Sequence, residues 1–220
     1  MKSIAIDGPA GAGKSTIAKG VAKNIGFIYV DTGALYRSIG YFVQLNGKDP
    51  KDPEQVVPLL DGIKIELKYE NGVQKVYLNG EDVSEKIRTP QLSMYASNVS
   101  AIPKVREFLF DLQRNLAKTQ NVIMDGRDIG TVVLPDADIK IFLTASVEER
   151  ARRRYKELAE KDESVRYEDV LEEMKQRDYN DMHRDIAPLR QADDALLVDT
   201  TENNLEESIE ILTKIVKERL

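Results

Sequence analysis

The sequence predicts an α/β fold: a five-stranded parallel sheet with helices on both faces, carrying an inserted small antiparallel β subdomain. Three observations predict it. Gly8-Pro9-Ala10-Gly11-Ala12-Gly13-Lys14-Ser15 fits the pattern G-x-x-x-x-G-K-[ST], set between an apolar strand and an amphipathic helix. Short apolar strands and helical segments then alternate along the chain, as in parallel sheets covered on both faces. One stretch, about 61–88, breaks that alternation with period-two hydrophobicity and Asn-Gly turns, which marks an antiparallel insert; an edge hairpin of the main sheet is the alternative.

Taken in order, Ser3-Ile4-Ala5-Ile6 is the first strand, and Ser15 to Ile25 is a helix with Ile17, Ala18, Val21, Ala22 and Ile25 on one face. Phe27 to Val30 is the second strand, ending at Asp31. Gly33 to Leu45 is helical, with Leu35, Ile39, Phe42 and Val43 apolar, until Asn46-Gly47 and the prolines Pro50 and Pro53 break the chain. In the insert, Ile63, Ile65, Leu67 and Tyr69 face one way and Lys64, Glu66 and Lys68 the other; Asn71-Gly72 turns the chain into Val73 to Leu78, and Asn79-Gly80 turns it again.

Pro90 to Ser100 and Pro103 to Ala117 are helical, and Asn121 to Asp125 is the third strand, ending in a carboxylate. Ile139 to Leu143 is the fourth strand, and Ser146 with Glu149 reads as a capping box opening an arginine-rich helix. Tyr167 to Met182 is helical, Ala195 to Val198 is the fifth strand, and Asn203 with Glu206 is expected to cap a last amphipathic helix. Ligands of such sheets sit at the C-terminal ends of the strands, so Asp7, Asp31, Asp125 and Asp128 are expected to line one crevice with Lys14.

Composition bounds the function. With 220 residues the chain suits one domain with a small insert, and 41% hydrophobic residues suffice for a sizeable core. A net charge of −6 argues against general nucleic-acid or membrane-surface binding. There is no cysteine, which excludes disulfides, thiolate metal sites and cysteine nucleophiles, and the single histidine, His183, is read as a surface or structural residue. No segment before the first strand suggests a signal peptide and no apolar run is long enough to span a membrane, so a soluble, cytoplasmic protein is expected.

The glycine pattern has a direct chemical meaning. Glycines let the backbone curl into a nest of N–H donors, and the positive end of the following helix adds to it. Gly8 to Thr16 should therefore cradle the phosphates of a nucleoside triphosphate, with Lys14 reaching the β- and γ-phosphates and the Ser15 hydroxyl facing Mg²⁺. A dinucleotide fingerprint is excluded because its third glycine would fall at Thr16. The guanine-reading Asn-Lys-x-Asp of GTPase switches is absent, and a motor ATPase would be longer.

Four segments set a resemblance: Ile6 to Ser15, Asp31-Thr32-Gly33-Ala34-Leu35-Tyr36-Arg37, Asp125-Gly126-Arg127-Asp128-Ile129-Gly130-Thr131-Val132-Val133, and Arg177-Asp178 through Ala187-Pro188-Leu189. Together they resemble the bacterial-type cytidylate kinases, nucleoside monophosphate kinases with a P-loop, over nearly the whole chain. The resemblance implies transfer of the ATP γ-phosphate to CMP or dCMP with Mg²⁺. It also implies a single kinase domain over 1–220, with a monophosphate-binding insert at about 61–88 and a helical lid at about 146–170 that closes to exclude water.

Residue by residue, Ser97, Arg106 and Asp128 resemble the family's cytosine readers, and Arg177 and Asp181 its ribose contacts. Arg37, Arg127 and Arg184 resemble the phosphate-gripping arginines, with Lys14, Arg127 and Arg184 as the catalytic charges. Tyr36 resembles a pocket wall near the acceptor, with core packing as its alternative, and Thr32 stands where many relatives carry Ser. Arg150 and Arg154 resemble lid arginines that clamp ATP; neutralisation by Glu148, Glu149 and Glu157 on an exposed helix is the alternative. Asp125 is placed like a carboxylate holding Mg²⁺ through water, with a structural strand-end Asp as its alternative. ATP and CMP or dCMP are the implied small-molecule partners of a monomer, with no nucleic acid and no membrane. Two other functions stay open: a kinase for UMP, AMP or a metabolite alcohol, with Asp31 as general base, and a P-loop switch that transfers nothing.

Overall fold

The computed structural model describes residues 1–70, 73–160 and 164–220. The Asn71-Gly72 turn and residues 161–163 of the expected lid lie outside them. Strand β1 (Ser3–Asp7) runs through the glycine loop into α1 (Lys14–Ile25), and β2 (Ile28–Asp31) runs directly into α2 (Thr32–Leu45). A short α3 (Pro53–Val56) and a 3-10 turn (Val57–Gly62) precede β3 (Ile65–Glu70), β4 (Val73–Leu78) and β5 (Glu81–Asp82). Helices α4 (Pro90–Ser100) and α5 (Pro103–Thr119) lead to β6 (Val122–Gly126), a wide π-type turn (Ile129–Val133) and β7 (Ile139–Thr144). Then come α6 (Val147–Ala159), α7 (Tyr167–His183), β8 (Leu196–Asp199) and α8 (Leu205–Arg219).

The expected architecture is present. A five-stranded parallel sheet runs in the order β2-β6-β1-β7-β8, and β3-β4-β5 form a separate antiparallel sheet. Period two sorts the central strands onto two faces. Ile4, Ile6, Ile123 and Ile141 pack against Ile17 and Val21 of α1 and Leu212 and Val216 of α8. Ala5, Val122 and Met124 pack on the other face against Leu116 of α5 and Ile129 and Val133 of the π-type turn. A further core joins α2, α4 and α5 to the small sheet through Leu35, Ile39, Val99, Leu109, Val76 and Leu78. Strand order reverses at β1, which lies between β6 and β7, and that reversal opens the crevice beyond the strands' C-terminal ends.

Local chemistry explains the helix starts. Asp31 caps α2 through the Ala34 N–H, and Thr89 caps α4 through the Leu92 N–H with Pro90 at the first turn. Pro53, a breaker by pattern, likewise sits in the first turn of α3 behind the cap Asp52. Two expected caps are corrected. The last helix is capped by Asn204 with Glu207, not by Asn203 with Glu206, because the Asn203 N–H is held by the Thr200 carbonyl. Ser146 does accept the Glu149 N–H, but no box closes: the Glu149 carboxylate is drawn to Arg152 and Arg153, and the Ser146 N–H donates to Thr201. In the small sheet, Asn79 and Gly80 take φ of 50° and 87°, the doubly positive turn that the Asn-Gly pair predicts.

Candidate active site

The phosphate loop owes its course to a close approach. Gly8 has φ of 151°, and a Cβ there would lie 1.9 Å from the Leu143 carbonyl oxygen on β7. At the other end Gly13, with φ of 80°, turns the chain into α1, so the loop closes onto the positive end of that helix. Lys14 is 5% exposed, and its ammonium donates to the Pro9 carbonyl at 2.7 Å. Burial, and next the nearby Arg127 guanidinium, hold its pKa well below the usual ammonium range.

The loop borders a cleft of about 760 Å³ that runs past the end of β6, along α4 and α5, and under α7 to the start of α8. Basic residues outnumber acidic ones in its lining, although the chain as a whole carries a net charge of −6. One corner holds oxygen donors. The Ser15 hydroxyl donates to one oxygen of Asp125 at 2.7 Å and the Tyr29 hydroxyl to the other at 2.9 Å. Burial, reinforced by Asp31, pushes the Asp125 carboxyl above its ordinary range. Thr32 donates to the Asp125 carbonyl at 2.6 Å, while Asp31 pairs with Arg37 at 2.8 Å.

The other polar groups converge from separate elements. Arg106 on α5 pairs with one oxygen of Asp128, and Arg184, just past α7, reaches the other at 3.4 Å. Burial pushes the Asp128 carboxyl up, and Arg106 and Arg184 pull it back toward the ionised form. Tyr36 lies under this pair, with the Arg106 guanidinium 5.8 Å from its ring centre, so it serves both core and cleft wall. Asp181 on α7 accepts from Arg127 at 2.8 Å and from Ser97 at 3.2 Å. Burial opposes its ionisation, but Arg127 and Arg177 together hold its pKa below the usual carboxylate value. The Arg177 Nε is buried without a hydrogen-bond partner, and burial plus the neighbouring Arg127 bring its pKa down to about 10.

The cleft therefore unites Ala10 to Thr16, Thr32, Tyr36, Arg37, Ser97, Arg106, Asp125, Arg127, Asp128, Arg154, Arg177, Asp181 and Arg184. Four expected members lie outside the lining: Gly8 and Pro9 at the start of the loop, where Gly8 is pressed against the Leu143 carbonyl and the Pro9 carbonyl accepts from Lys14, and also Asp7 and Arg150. Asp7 does not line the cleft: its carboxylate turns to the Ile129 and Gly130 N–H groups at 2.8 and 2.7 Å, because those amides open the π-type turn beside the end of β1. Arg150 lies outside the lining and is bound to protein partners, whereas Arg154 borders the cleft and pairs with Glu157 at 2.9 Å. His183 stacks on Tyr179 at the surface, with ring centres 4.1 Å apart.

Sequence reasoning missed Arg88, Gln113 and Tyr29. Arg88 follows the small sheet and lines the cleft with no ion pair among the described residues. Gln113 is seven residues beyond Arg106 on the same face of α5, a spacing that could have revealed it. Tyr29 carried no signal, since its partner Asp125 is 96 residues away.

Comparison with known proteins agrees with this geometry. The family model described as cytidylate kinase matches residues 4–218. A cytidylate kinase of Caldicellulosiruptor bescii is 53% identical over 219 residues, covering 98% of this chain and 97% of that protein. One of Lactobacillus johnsonii is 48% identical over 219 residues, covering 100% and 95%. Among solved structures, an uncharacterized protein from Eubacterium ventriosum shares the fold at a TM-score of 0.52 and 13% identity, covering 100% of both chains. With its phosphate loop, its converging arginines and a match over nearly its whole length, the chain belongs to the cytidylate kinase family.

Proposed function

We propose that the protein transfers the γ-phosphate of ATP to CMP or dCMP, giving ADP and CDP or dCDP. The observation that carries this reading is one cleft lined both by the phosphate-loop lysine and by a buried Arg106–Asp128–Arg184 cluster. A carboxylate suits the amino group of cytosine, and the Arg106 fork suits its carbonyl and ring nitrogen. Asp181 and Arg177 are proposed to hold the ribose hydroxyls, and Ser97, which donates to Asp181, to stand with Arg106 and Asp128 as a cytosine reader.

The acceptor needs no general base. A phosphomonoester has its second pKa near 6 and is largely ionised at neutral pH. An acceptor phosphate oxygen attacks the γ-phosphorus, and the bond from the γ-phosphorus to the β-phosphate's bridging oxygen breaks. The obstacle is the approach of two anions, so catalysis is positioning and charge neutralisation. Lys14 is proposed to meet the donor phosphates, and Arg37, Arg127 and Arg184 the acceptor and transferring groups. Arg153 and Arg154 border the same cleft from α6 and are proposed for the nucleotide's outer side. Asp31, the base an alcohol acceptor would need, already caps α2 with one oxygen and pairs with Arg37 through the other.

The residues present fit Mg²⁺ accompanying ATP. Ser15 and Asp125 offer hard oxygen donors, but both Asp125 oxygens already accept hydrogen bonds. No group of three or more His, Cys, Asp or Glu that could hold a metal occurs among the described residues. That donor set suits an ion bound largely by phosphates and water, with Asp125 as an outer partner. When bound, Mg²⁺ neutralises charge on the phosphate oxygens.

The domain organisation belongs to the same proposal: one kinase domain over 1–220, with the insert at about 61–88 and the lid at about 146–170. So does action as a cytoplasmic monomer on small molecules, without nucleic-acid or membrane partners. No helix among the described residues is long and apolar enough to cross a membrane. Calorimetric titration with CMP, ATP and ADP tests the reading. It predicts saturable binding of CMP as well as of ATP; a protein that separates ADP from ATP but gives no heat with CMP would be a switch, and the reading would fall.

A further inference from the structure

Helix α7 touches the phosphate loop and carries acceptor-side residues on the same face. Its contact with the loop runs through Arg150 of α6. That guanidinium is 5% exposed, and its three nitrogens have separate partners: Nε donates to the Ala145 carbonyl at 2.9 Å, one terminal nitrogen to the Ala10 carbonyl of the loop at 2.8 Å, and the other pairs with Asp178 of α7 at 2.6 Å. Met174, one turn earlier on α7, packs on the loop as well: a Cβ built on Gly11 would lie 3.0 Å from its terminal methyl carbon. Asp178 directly follows Arg177, and Asp181 lies three residues further on.

We propose that Arg150 and Asp178 form a positioning strut that fixes Arg177 and Asp181 relative to Lys14, so that donor and acceptor phosphates meet in line. This rests on the kinase reading above. Neither residue lines the cleft, so neither is placed to touch substrate. The second Asp178 oxygen is buried without a hydrogen-bond partner, so the carboxylate is committed to Arg150 through one oxygen rather than to a forked pair. A fork of three donors at fixed angles holds loop, α6 and α7 in one geometry; a lysine could keep the charge but not the three directions. Transfer is sensitive to such geometry, since a misplacement of about 1 Å costs about a hundredfold in rate.

The test compares Asp178→Asn and Arg150→Lys with the unmodified chain, and with Val216→Ala on the far part of α8 as a stability control. Val216 is fully buried and belongs to the core against α1, away from the cleft. Steady-state transfer from ATP to CMP gives kcat and both KM values, and thermal melts give the folded fraction. The strut predicts kcat lower by about tenfold to a hundredfold in both variants. The KM values should stay within roughly threefold, the mark of an interaction used in the transition state rather than in uniform binding. Val216→Ala should lower the melting temperature and leave kcat unchanged. The proposal is overturned if the two variants melt earlier yet keep kcat, if KM rises while kcat holds, or if neither variant folds, which would make the pair a stability element. Failure of the unmodified chain to phosphorylate CMP would instead overturn the kinase reading.

Discussion

Asp128→Asn is the substitution with the largest consequence for specificity. It keeps the shape of the side chain and removes its charge. In the folded protein Asp128 is 4% exposed and lies between Arg106 and Arg184. Hydrogen bonds to charged groups contribute about 1.5–3 kcal/mol each, so loss of the charged acceptor proposed for the cytosine amino group should be of that size. At about 1.4 kcal/mol per tenfold, kcat/KM for CMP should fall roughly tenfold to a hundredfold. An amide can also turn its NH₂ toward a carbonyl, so UMP should lose less and the CMP/UMP ratio should shrink by a similar factor. Because Arg106 and Arg184 lose their buried counter-charge, the variant should also be destabilised, by up to about 3–5 kcal/mol. Initial rates with CMP and UMP, at a temperature where melting shows the variant folded, measure the ratio. An unchanged ratio in a folded variant would refute the assignment of Asp128 as the cytosine reader.

Further predictions follow from single contacts. Lys14→Ala should lower kcat by about a hundredfold to a thousandfold with the fold intact by circular dichroism, and near-normal turnover would remove the phosphate loop from the mechanism. Gly8→Ala would place a methyl 1.9 Å from the Leu143 oxygen at a φ of 151°, so urea unfolding should show a loss of about 3 kcal/mol or more, and unaltered stability would contradict the close approach. Burial pushes the Asp7 carboxyl up to about 7 from 3.8. The unfolded chain releases this proton near pH 3.8 and the folded chain near pH 7, so the contribution to stability is complete below pH 3.8, declines as pH rises and is gone above about pH 7. Between pH 5 and 8 it amounts to roughly 2–3 kcal/mol, so the stability gap between the unmodified chain and Asp7→Asn should narrow by that amount at pH 8; a gap equal at both pH values would contradict it.

How much of this was legible in the sequence depended on range. The glycine loop, the strands and the amphipathic helices follow from local pattern, and the structure contains the five-stranded parallel sheet and the small antiparallel sheet that the pattern predicts. Pattern failed where a tertiary partner decided the outcome. Asp7 and Asp125 are both strand-end acids, yet one turns to the amides of Ile129 and Gly130 and the other to Ser15 and Tyr29 in the cleft. Arg150 and Arg154 share one helix face, yet packing of α7 buries the first and leaves the second at the cleft. Asn203 and Asn204 are equivalent cap candidates, and only the hold of Thr200 on the Asn203 N–H selects between them. The Arg106–Asp128–Arg184 cluster joins residues 22 and 56 positions apart, which no periodicity links; family resemblance brought them together.

The most direct test is ADP release from ATP and Mg²⁺ with CMP, dCMP, UMP, AMP, GMP and no acceptor measured side by side. Rapid release with CMP and dCMP, weak release with UMP and none above background with the others is the predicted result. Equal release with and without an acceptor would contradict it, because the arginines converging on the cleft would then have no acceptor phosphate to serve.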